Sequence, residues 1–426
     1  MIRRLLLALI VLAAAVGLAA SQDVTPSPTL LAQIDELEQW ATEIRGLRAL
    51  SPVDRRFPNR SEVEAFIASQ LDDPETLDFY RDAQVAYVAF DLLPPDFDLV
   101  ASLRELLVAQ VGGYYDTDTK SMNTLLLTGG ELADRLPLLE QIVYVHEFTH
   151  ALQDQNFDLM KLLGGEDDVA FAQQYPDQAL AGQALVEGDA TEVMTVFVQR
   201  LTEERPAEVL RDFSALTGAL GSFDIPSGTP PILEAELTFP YLNGQKFVQA
   251  LVADGGWARV DDAFRNPPRS TEQIINPDAY LSGDEPMAVD LPDMSAALGT
   301  GWSQRFDRTG GEFFLRRYLS TQLLSFAVTR AAGGWGGDRY RLYTDSTGQF
   351  AWVWKLTWDT AKDADQFASI IDMFMTSRFG SEASDGCWVG SDGAACIAQA
   401  GPGGDVVISR APTLDLAVAM RDTAGF

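Results

Sequence analysis

The segment over residues 137–155 constrains the fold most, because at helical spacing it is apolar on nearly every face. The proline at its start suits the first position of a helix. A helix without a polar face is buried inside a large globular protein. The sequence therefore predicts a core helix around which the neighbouring elements pack. Its apolar residues are Leu139, Ile142, Val143, Val145, Phe148, Ala151 and Leu152, with Phe157 just beyond them.

The same helix carries both histidines of the 426-residue chain, His146 and His150, in a His-Glu-x-x-His motif. Residues four apart lie on one helical face, so these two imidazoles can reach a single Zn²⁺ at about 2.0–2.1 Å. Glu147 projects to one side, where it can contact a metal-bound water without ligating the metal. The pattern points to a zinc site, and the alternative is a pair of satisfied core histidines beside a salt-bridged glutamate.

A third ligand has to be a carboxylate, because the chain has no third histidine. Glu187 is the best candidate: in a predicted helix over residues 177–200 it shares an apolar stripe, where a carboxylate is costly unless paired or metal-bound. Gly188 beside it would let another backbone come close. An ordinary buried ion pair is the alternative for Glu187. Asp189 and Glu192 are rivals, but both point off the stripe.

Residues 146–157, HEFTHALQDQNF, and Glu187 within LVEGDAT resemble zinc peptidases of the gluzincin group, the thermolysin-like clan. That clan takes two zinc ligands from H-E-x-x-H and a glutamate from a following helix. The resemblance, which spans residues 112–200, implies that His146, His150 and Glu187 bind zinc. It also implies that Glu147 is the general base, and that residues 115–127 contain the strand that lines the cleft and pairs with substrate.

The chain departs from this clan in two places. Thermolysin-like enzymes stabilise the transition state with a downstream histidine, which is absent here, so a tyrosine or arginine must act or the rate is low. Tyr114, Tyr115 and Tyr241 are the candidates, and a structural role is the alternative for each. The clan's acidic residue four positions after the glutamate is Thr191. Asp154 or Asp189 is therefore expected to orient a metal-bound imidazole, which usually needs such a partner, although Asp154 could equally be a helix-end residue.

The alternation of helical and strand patterns predicts an α+β protein. We expect a helix-rich, zincin-like metallopeptidase catalytic domain followed by a C-terminal α+β accessory domain. The expected boundaries are a signal peptide at 1–21, an N-terminal helical region at 22–110, the catalytic domain at 111–285 and, after a linker near residue 300, the accessory domain at 300–426. Besides the two helices above, we expect helices at 30–50, 241–264 and 311–332 and strands at 122–127, 340–343, 350–358 and 406–409.

Charge argues against nucleic acid as a partner. The chain has 31 basic and 62 acidic side chains, a formal net charge of −31. Such a surface repels phosphate backbones and mainly favours solubility.

The N-terminus has the order of features of an export signal. Arg3 and Arg4 precede an apolar run over residues 5–20, which is short for a membrane span, and a small-residue cleavage site ends at Ser21. An extracytoplasmic location is therefore expected, with an uncleaved anchor helix as the alternative. The sequence has no second long apolar run, so no further membrane contact is predicted.

Two features near the C-terminus have simple expected uses. Cys387 and Cys396 are predicted to form a local disulfide, as in exported proteins; a metal-binding pair is the weaker alternative, because no histidine lies nearby. Aromatic residues alternate along 350–358, which favours the core of a sheet beneath a helix over a sugar- or peptide-binding platform.

These features together predict a secreted zinc metallopeptidase that acts on a peptide or protein substrate. Two alternatives stay open at this point. One is a zinc-binding recognition module without proteolytic activity on the same fold, and the other is a secreted structural protein without metal.

Overall fold

The computed structural model describes residues 26–110, 112–125, 132–165, 168–211, 225–380 and 383–426, so the predicted signal peptide lies outside the described residues. The chain forms two compact units. Within the described residues, the first comprises the parts of 26–82, 98–172 and 181–268, and the second comprises those of 83–97, 173–180 and 269–426. The chain combines helices with sheets, as the α+β prediction requires. The division falls at residue 269, whereas the sequence favoured a linker near residue 300.

The first unit is mainly helical. Its helices, some of which extend into the second unit, are α1 (Pro28–Arg45), α2 (Arg60–Leu71), α3 (Pro74–Ala89), α4 (Leu99–Gln110), α5 (Leu138–Phe157), α6 (Leu159–Leu162), α7 (Asp168–Gln174), α8 (Pro176–Glu204), α9 (Pro231–Gly255) and α10 (Trp257–Arg265).

Helix α5 is the core helix predicted from its apolar faces. Every residue from Leu138 to Asp154 is buried. Ile142 and Val145 of α5 pack in one apolar cluster with Leu37 of α1 and Phe197 of α8. Helix α1 thus shares the core of α5, whereas the sequence pointed to a separate N-terminal region over 22–110.

A small sheet lies against α5. It contains β1 (Asp54–Arg56), β2 (Gly113–Asp116) and β3 (Ser121–Thr124) in the order β1–β3–β2. Strand β3 is parallel to β1 and antiparallel to β2. The strand expected over 122–127 ends at Thr124, and residues 126 and 127 lie outside the described residues. Strand β2 is consequently at one edge of the sheet.

Helix α9 begins earlier than the sequence predicted. It starts at Pro231 and continues through Pro240, where the pattern indicated a new helix near residue 241. Proline removes one helical hydrogen bond. Buried Leu233 on one side of Pro240 and Phe247 on the other keep both halves of the helix packed, so the helix continues.

The second unit is built on a six-stranded antiparallel sheet in the order β4–β5–β6–β9–β8–β7. Its strands are β4 (Trp302–Arg308), β5 (Trp335–Asp345), β6 (Phe350–Trp358), β7 (Cys387–Gly390), β8 (Gly393–Gln399) and β9 (Val406–Ala411). Its helices are α11 (Thr271–Ile275), α12 (Pro277–Ser282), α13 (Ser295–Leu298), α14 (Gly311–Ser320), α15 (Ser325–Ala332), α16 (Ala361–Phe379) and α17 (Leu414–Thr423).

In this unit the structure bears on strand β6, on the cysteine pair and on the helix expected over 311–332. Trp352 and Trp354 of β6 are fully buried, so this strand belongs to the core, as predicted, and is not a binding platform. Cys387 and Cys396 form the predicted disulfide across β7 and β8. The single helix expected over 311–332 is wrong, since the chain leaves α14 after Ser320 and enters α15 only at Ser325.

None of the helices within the described ranges has the length and apolar character needed to cross a lipid bilayer.

Candidate metal centre

Two helices of the first unit bring the three predicted ligands together. His146 and His150 lie one turn apart on α5, and Glu187 lies on α8. One donor atom from each of these residues lies within 4.8 Å of the others, and all three side chains are fully buried. Among the described residues, these two histidines and one glutamate lie close enough together to hold a single metal ion.

The distances fit a tetrahedral ion. Oε2 of Glu187 lies 3.1 Å from Nε2 of His146 and 3.4 Å from Nε2 of His150. Two ligand atoms about 2.1 Å from a tetrahedral zinc are themselves about 3.4 Å apart. Nε2 of His150 makes no well-formed hydrogen bond to a described residue, and it faces Oε2 of Glu187, so a metal ion could take the place of a proton between these two atoms. The donor set of two imidazoles and one carboxylate therefore suits Zn²⁺ and leaves one tetrahedral position for another ligand.

Glu147 lies beside this group, and its carboxyl is buried. Its two oxygens make no well-formed hydrogen bond within the described part of the chain, although the Tyr115 backbone approaches them. Burial raises the pKa of Glu147 to about 8, and the Glu187 carboxylate adds to the increase while His150 opposes it. Gly113 makes room for this side chain, because a Cβ on Gly113 would lie 3.3 Å from Cγ of Glu147.

The charges of the three ligands are strongly linked. Burial lowers the pKa of His146 to about 4, although its contact with Glu187 acts in the opposite direction. Burial also opposes a charge on His150, but Glu187 outweighs it and raises the pKa of His150. Burial would raise the pKa of Glu187 too, yet the two histidines lower it. The raised pKa of His150 favours a proton on this residue when no metal is bound, and a metal ion that binds Nε2 would replace it.

His150 is oriented by a residue that sequence reasoning missed. Its Nδ1 lies 2.9 Å from Oε1 of Gln153, three positions along α5. The Gln153 amide in turn donates to the Val186 carbonyl and to Asp189, at 3.0 and 2.8 Å. The expected role of Asp189 is therefore indirect, through Gln153. A buried glutamine one turn after a candidate ligand was the available signal.

Asp154 does not orient a histidine, so this expectation was wrong. It accepts hydrogen bonds from the Tyr115 hydroxyl at 2.9 Å and from Nζ of Lys120 at 2.6 Å. Both partners come from the β2–β3 hairpin, which Asp154 ties to the end of α5. Burial raises the pKa of Tyr115, and its hydroxyl is directed to Asp154 instead of the metal ligands.

Tyr241 is the tyrosine candidate that lies close to the ligands. Its ring centre is 6.1 Å from that of His146, and the residue is buried on α9. The rival carboxylate Glu192 is placed elsewhere, since it accepts hydrogen bonds from Gln245 at 3.0 Å and Gln249 at 2.8 Å. Glu187 is thus the carboxylate of α8 that joins the two histidines.

Comparison with known proteins gives a match to the second unit. A domain of unknown function, DUF8575, matches residues 302–421, from β4 into α17. This range lies within the second unit, and it does not include the group around His146. No curated protein matches the chain, and no solved structure matches it.

Proposed function

We propose that the first unit is a zinc-dependent peptidase of the gluzincin type with a zincin-like fold. The observation that carries this proposal is the convergence of His146, His150 and Glu187 at tetrahedral spacing, with Glu147 beside them. Four buried ionisable side chains without a compensating cation would be expensive to retain for stability alone. The free-energy cost of burying these side chains is explained if they hold a metal and act on a reactant.

The roles of the side chains follow from their positions. His146, His150 and Glu187 would hold the ion, which when bound lowers the pKa of a coordinated water and polarises a carbonyl group. Glu147 would accept the proton of the attacking water and deliver it to the leaving amine. Its raised pKa supports this role, because a carboxyl near neutrality can both accept and release a proton at physiological pH.

An extended peptide could reach this group along β2. Within the described residues β2 pairs with β3, on one side of the strand only. A peptide can add to a strand edge through its main-chain hydrogen bonds. Because Gly113, Tyr115 and Asp116 of β2 are buried, this edge would have to be uncovered first. The Tyr115 backbone in β2 approaches Glu147, so a peptide on this edge would have a bond close to the general base. This supports a peptide or protein substrate.

Location outside the cytoplasm is part of the proposal. The Cys387–Cys396 disulfide supports it, because such bonds persist in oxidising compartments. The arginine pair and apolar run at the N-terminus support export as well.

Zinc analysis and Glu147→Gln together test the proposal. The purified protein should hold about one zinc per chain, and the variant should keep it, since Glu147 is not required as a ligand. Hydrolysis of a broad peptide library by the variant should fall by roughly 10²–10⁴-fold, the usual value of positioned proton transfer. Zinc binding without hydrolysis by either protein would favour a recognition module. Absence of zinc from the wild-type protein would reject the metal site.

A further inference from the structure

The orientation of the Gln153 amide is determined by its neighbours. Its Nε2 faces the Val186 carbonyl at 3.0 Å and an oxygen of Asp189 at 2.8 Å. A carbonyl and a carboxylate only accept hydrogen bonds, so the NH₂ group must be on that side. Oε1 is consequently the atom that faces Nδ1 of His150, at 2.9 Å. His150 must carry a proton on Nδ1, which directs Nε2 toward Glu187.

Asp189 is in turn fixed by Arg45, the last residue of α1. Nε of Arg45 lies 2.7 and 2.9 Å from the two oxygens of Asp189, and both side chains are fully buried. The guanidinium also pairs with Asp261 at 2.8 Å and lies over the rings of Trp257 and Phe264, at 4.9 and 5.9 Å from their centres. A planar guanidinium held on this many sides has little freedom to reorient.

We propose that Arg45 is a positioning residue of the metal centre, which acts on His150 through Asp189 and Gln153. This inference rests on the proposed function, because it assumes that Nε2 of His150 binds a metal. With Arg45 in place, Asp189 presents its oxygen to the Gln153 amide, and the amide keeps the Nδ1-protonated form of His150. Without Arg45, the buried Asp189 loses its cation, and the carboxylate oxygen that accepts from the Gln153 amide is no longer held in position.

The proposal requires that zinc affinity depends on residues that never contact the ion. Arg45→Met should weaken zinc binding, measured by competition with a chromophoric chelator, by about 10- to 100-fold, as removal of outer partners of metal ligands does. Arg45→Lys keeps the charge and should recover part of the loss. Gln153→Leu should weaken binding to a similar extent. The visible spectrum of the Co²⁺-substituted protein should change in the Met and Leu variants.

Arg45→Met leaves a buried carboxylate without its cation and could fail to fold. Arg45→Met/Asp189→Leu removes both charges, an exchange that is often neutral for stability. This double variant should fold and still bind zinc as weakly as Gln153→Leu. Gln33→Leu is the matched control, because Gln33 is a buried glutamine whose side chain bonds the backbone of Leu136, away from the histidines. It should lower stability without changing zinc affinity or the Co²⁺ spectrum.

The outcomes separate this inference from the function on which it rests. A folded double variant with wild-type zinc affinity and Co²⁺ spectrum would overturn the role of Arg45 and leave the metal site intact. A wild-type protein that binds no zinc would overturn both. Equal losses of affinity in Gln33→Leu and Gln153→Leu would show that general destabilisation, and not orientation of His150, causes the effect.

Discussion

Gly188 and Gly244 are in backbone contact where α8 crosses α9. A Cβ on Gly188 would lie 2.2 Å from the carbonyl carbon of Gly244, and a Cβ on Gly244 would lie 2.0 Å from the carbonyl oxygen of Ala184. Only glycine fits at either position. Because Gly188 directly follows Glu187, this crossing determines where the carboxylate of α8 stands relative to α5.

Gly188→Ala should therefore damage both stability and the metal site. A methyl group forced against a backbone costs about 1–3 kcal/mol, and here the helices must separate to admit it. Urea unfolding should show the loss of stability, and zinc titration should show weaker binding. Gly182→Ala on the same helix is the control, since its nearest neighbours would be at 3.6 Å and alanine favours a helix by about 0.5–1 kcal/mol. Equal stability of the two variants would contradict this account.

Glu187→Gln should lose zinc, whereas Glu192→Gln should retain it. Both residues lie on α8, but Glu187 contacts the histidines and Glu192 accepts from Gln245 and Gln249. Loss of an anionic ligand should weaken zinc binding by more than the roughly 10- to 100-fold typical of an outer partner. Metal analysis after dialysis against a weak chelator measures the difference. Zinc retained by the Glu187 variant would require another third ligand.

Stability of the metal-free protein should depend on pH through Glu147. Burial raises its pKa from the ordinary 4.5 to about 8, so the folded protein keeps a proton that the unfolded chain releases. Between these values the contribution of Glu147 to stability falls as pH rises. The glutamine side chain does not titrate, so the free energy of unfolding of Glu147→Gln should exceed that of wild type by about 3 kcal/mol at pH 7. The difference should be much smaller at pH 5.

Thermal unfolding in a chelator at pH 5, 6, 7 and 8 measures this effect. Glu105→Gln is the control, because it makes the same substitution at an exposed glutamate on α4. A difference between Glu147→Gln and wild type that does not grow from pH 5 to pH 8 would contradict a buried, protonated Glu147.

Tyr241→Phe should reduce kcat and leave zinc content unchanged. The ring of Tyr241 packs near His146, and the chain offers no third histidine to steady a developing oxyanion. Removal of a hydrogen-bond donor to such an oxyanion costs about 10²–10³ in kcat. Tyr115→Phe is the comparison: its hydroxyl bonds Asp154, so it should lose about 1 kcal/mol of stability with little effect on kcat. The opposite order of kcat values would assign the role to Tyr115.

If the protein is exported, removal of the signal peptide should shorten the chain at its N-terminus. The mature protein should begin near Ser21 or Gln22, after the small residues that follow the apolar run. N-terminal sequencing of protein recovered outside the cytoplasm measures this. An intact Met1 in membrane-bound material would indicate an anchor helix instead.

The sequence predicted the helix that carries His146 and His150 because its signals are local. Spacing of His146 and His150 follows from helical geometry alone, and the apolar faces of α5 predicted its burial. Glu187 was also accessible, since a carboxylate in an apolar stripe of α8 needs an explanation within that same helix. Likewise the aromatic alternation of β6 predicted the buried Trp352.

Residues that act through distant contacts could not be found in the same way. Arg45 lies 144 positions before Asp189, and nothing in its local pattern indicates that partner. Asp154 was assigned to a histidine because it follows the motif, but its direction along α5 takes it to Tyr115 and Lys120. The short strand β1 was missed because three residues carry too little pattern to distinguish a strand from a loop.

Because His146 and His150 are buried, their chemical modification would report how often the protein core opens. No other imidazole exists in the sequence, so every ring that a histidine-specific reagent such as diethyl pyrocarbonate could modify belongs to this cluster. Both rings are fully buried, so the reagent, like a peptide substrate, can reach them only when the packing around them opens, and its rate would report those openings. Opening of the protein core could thus be followed by the change in ultraviolet absorbance when the imidazoles react, without an added fluorophore.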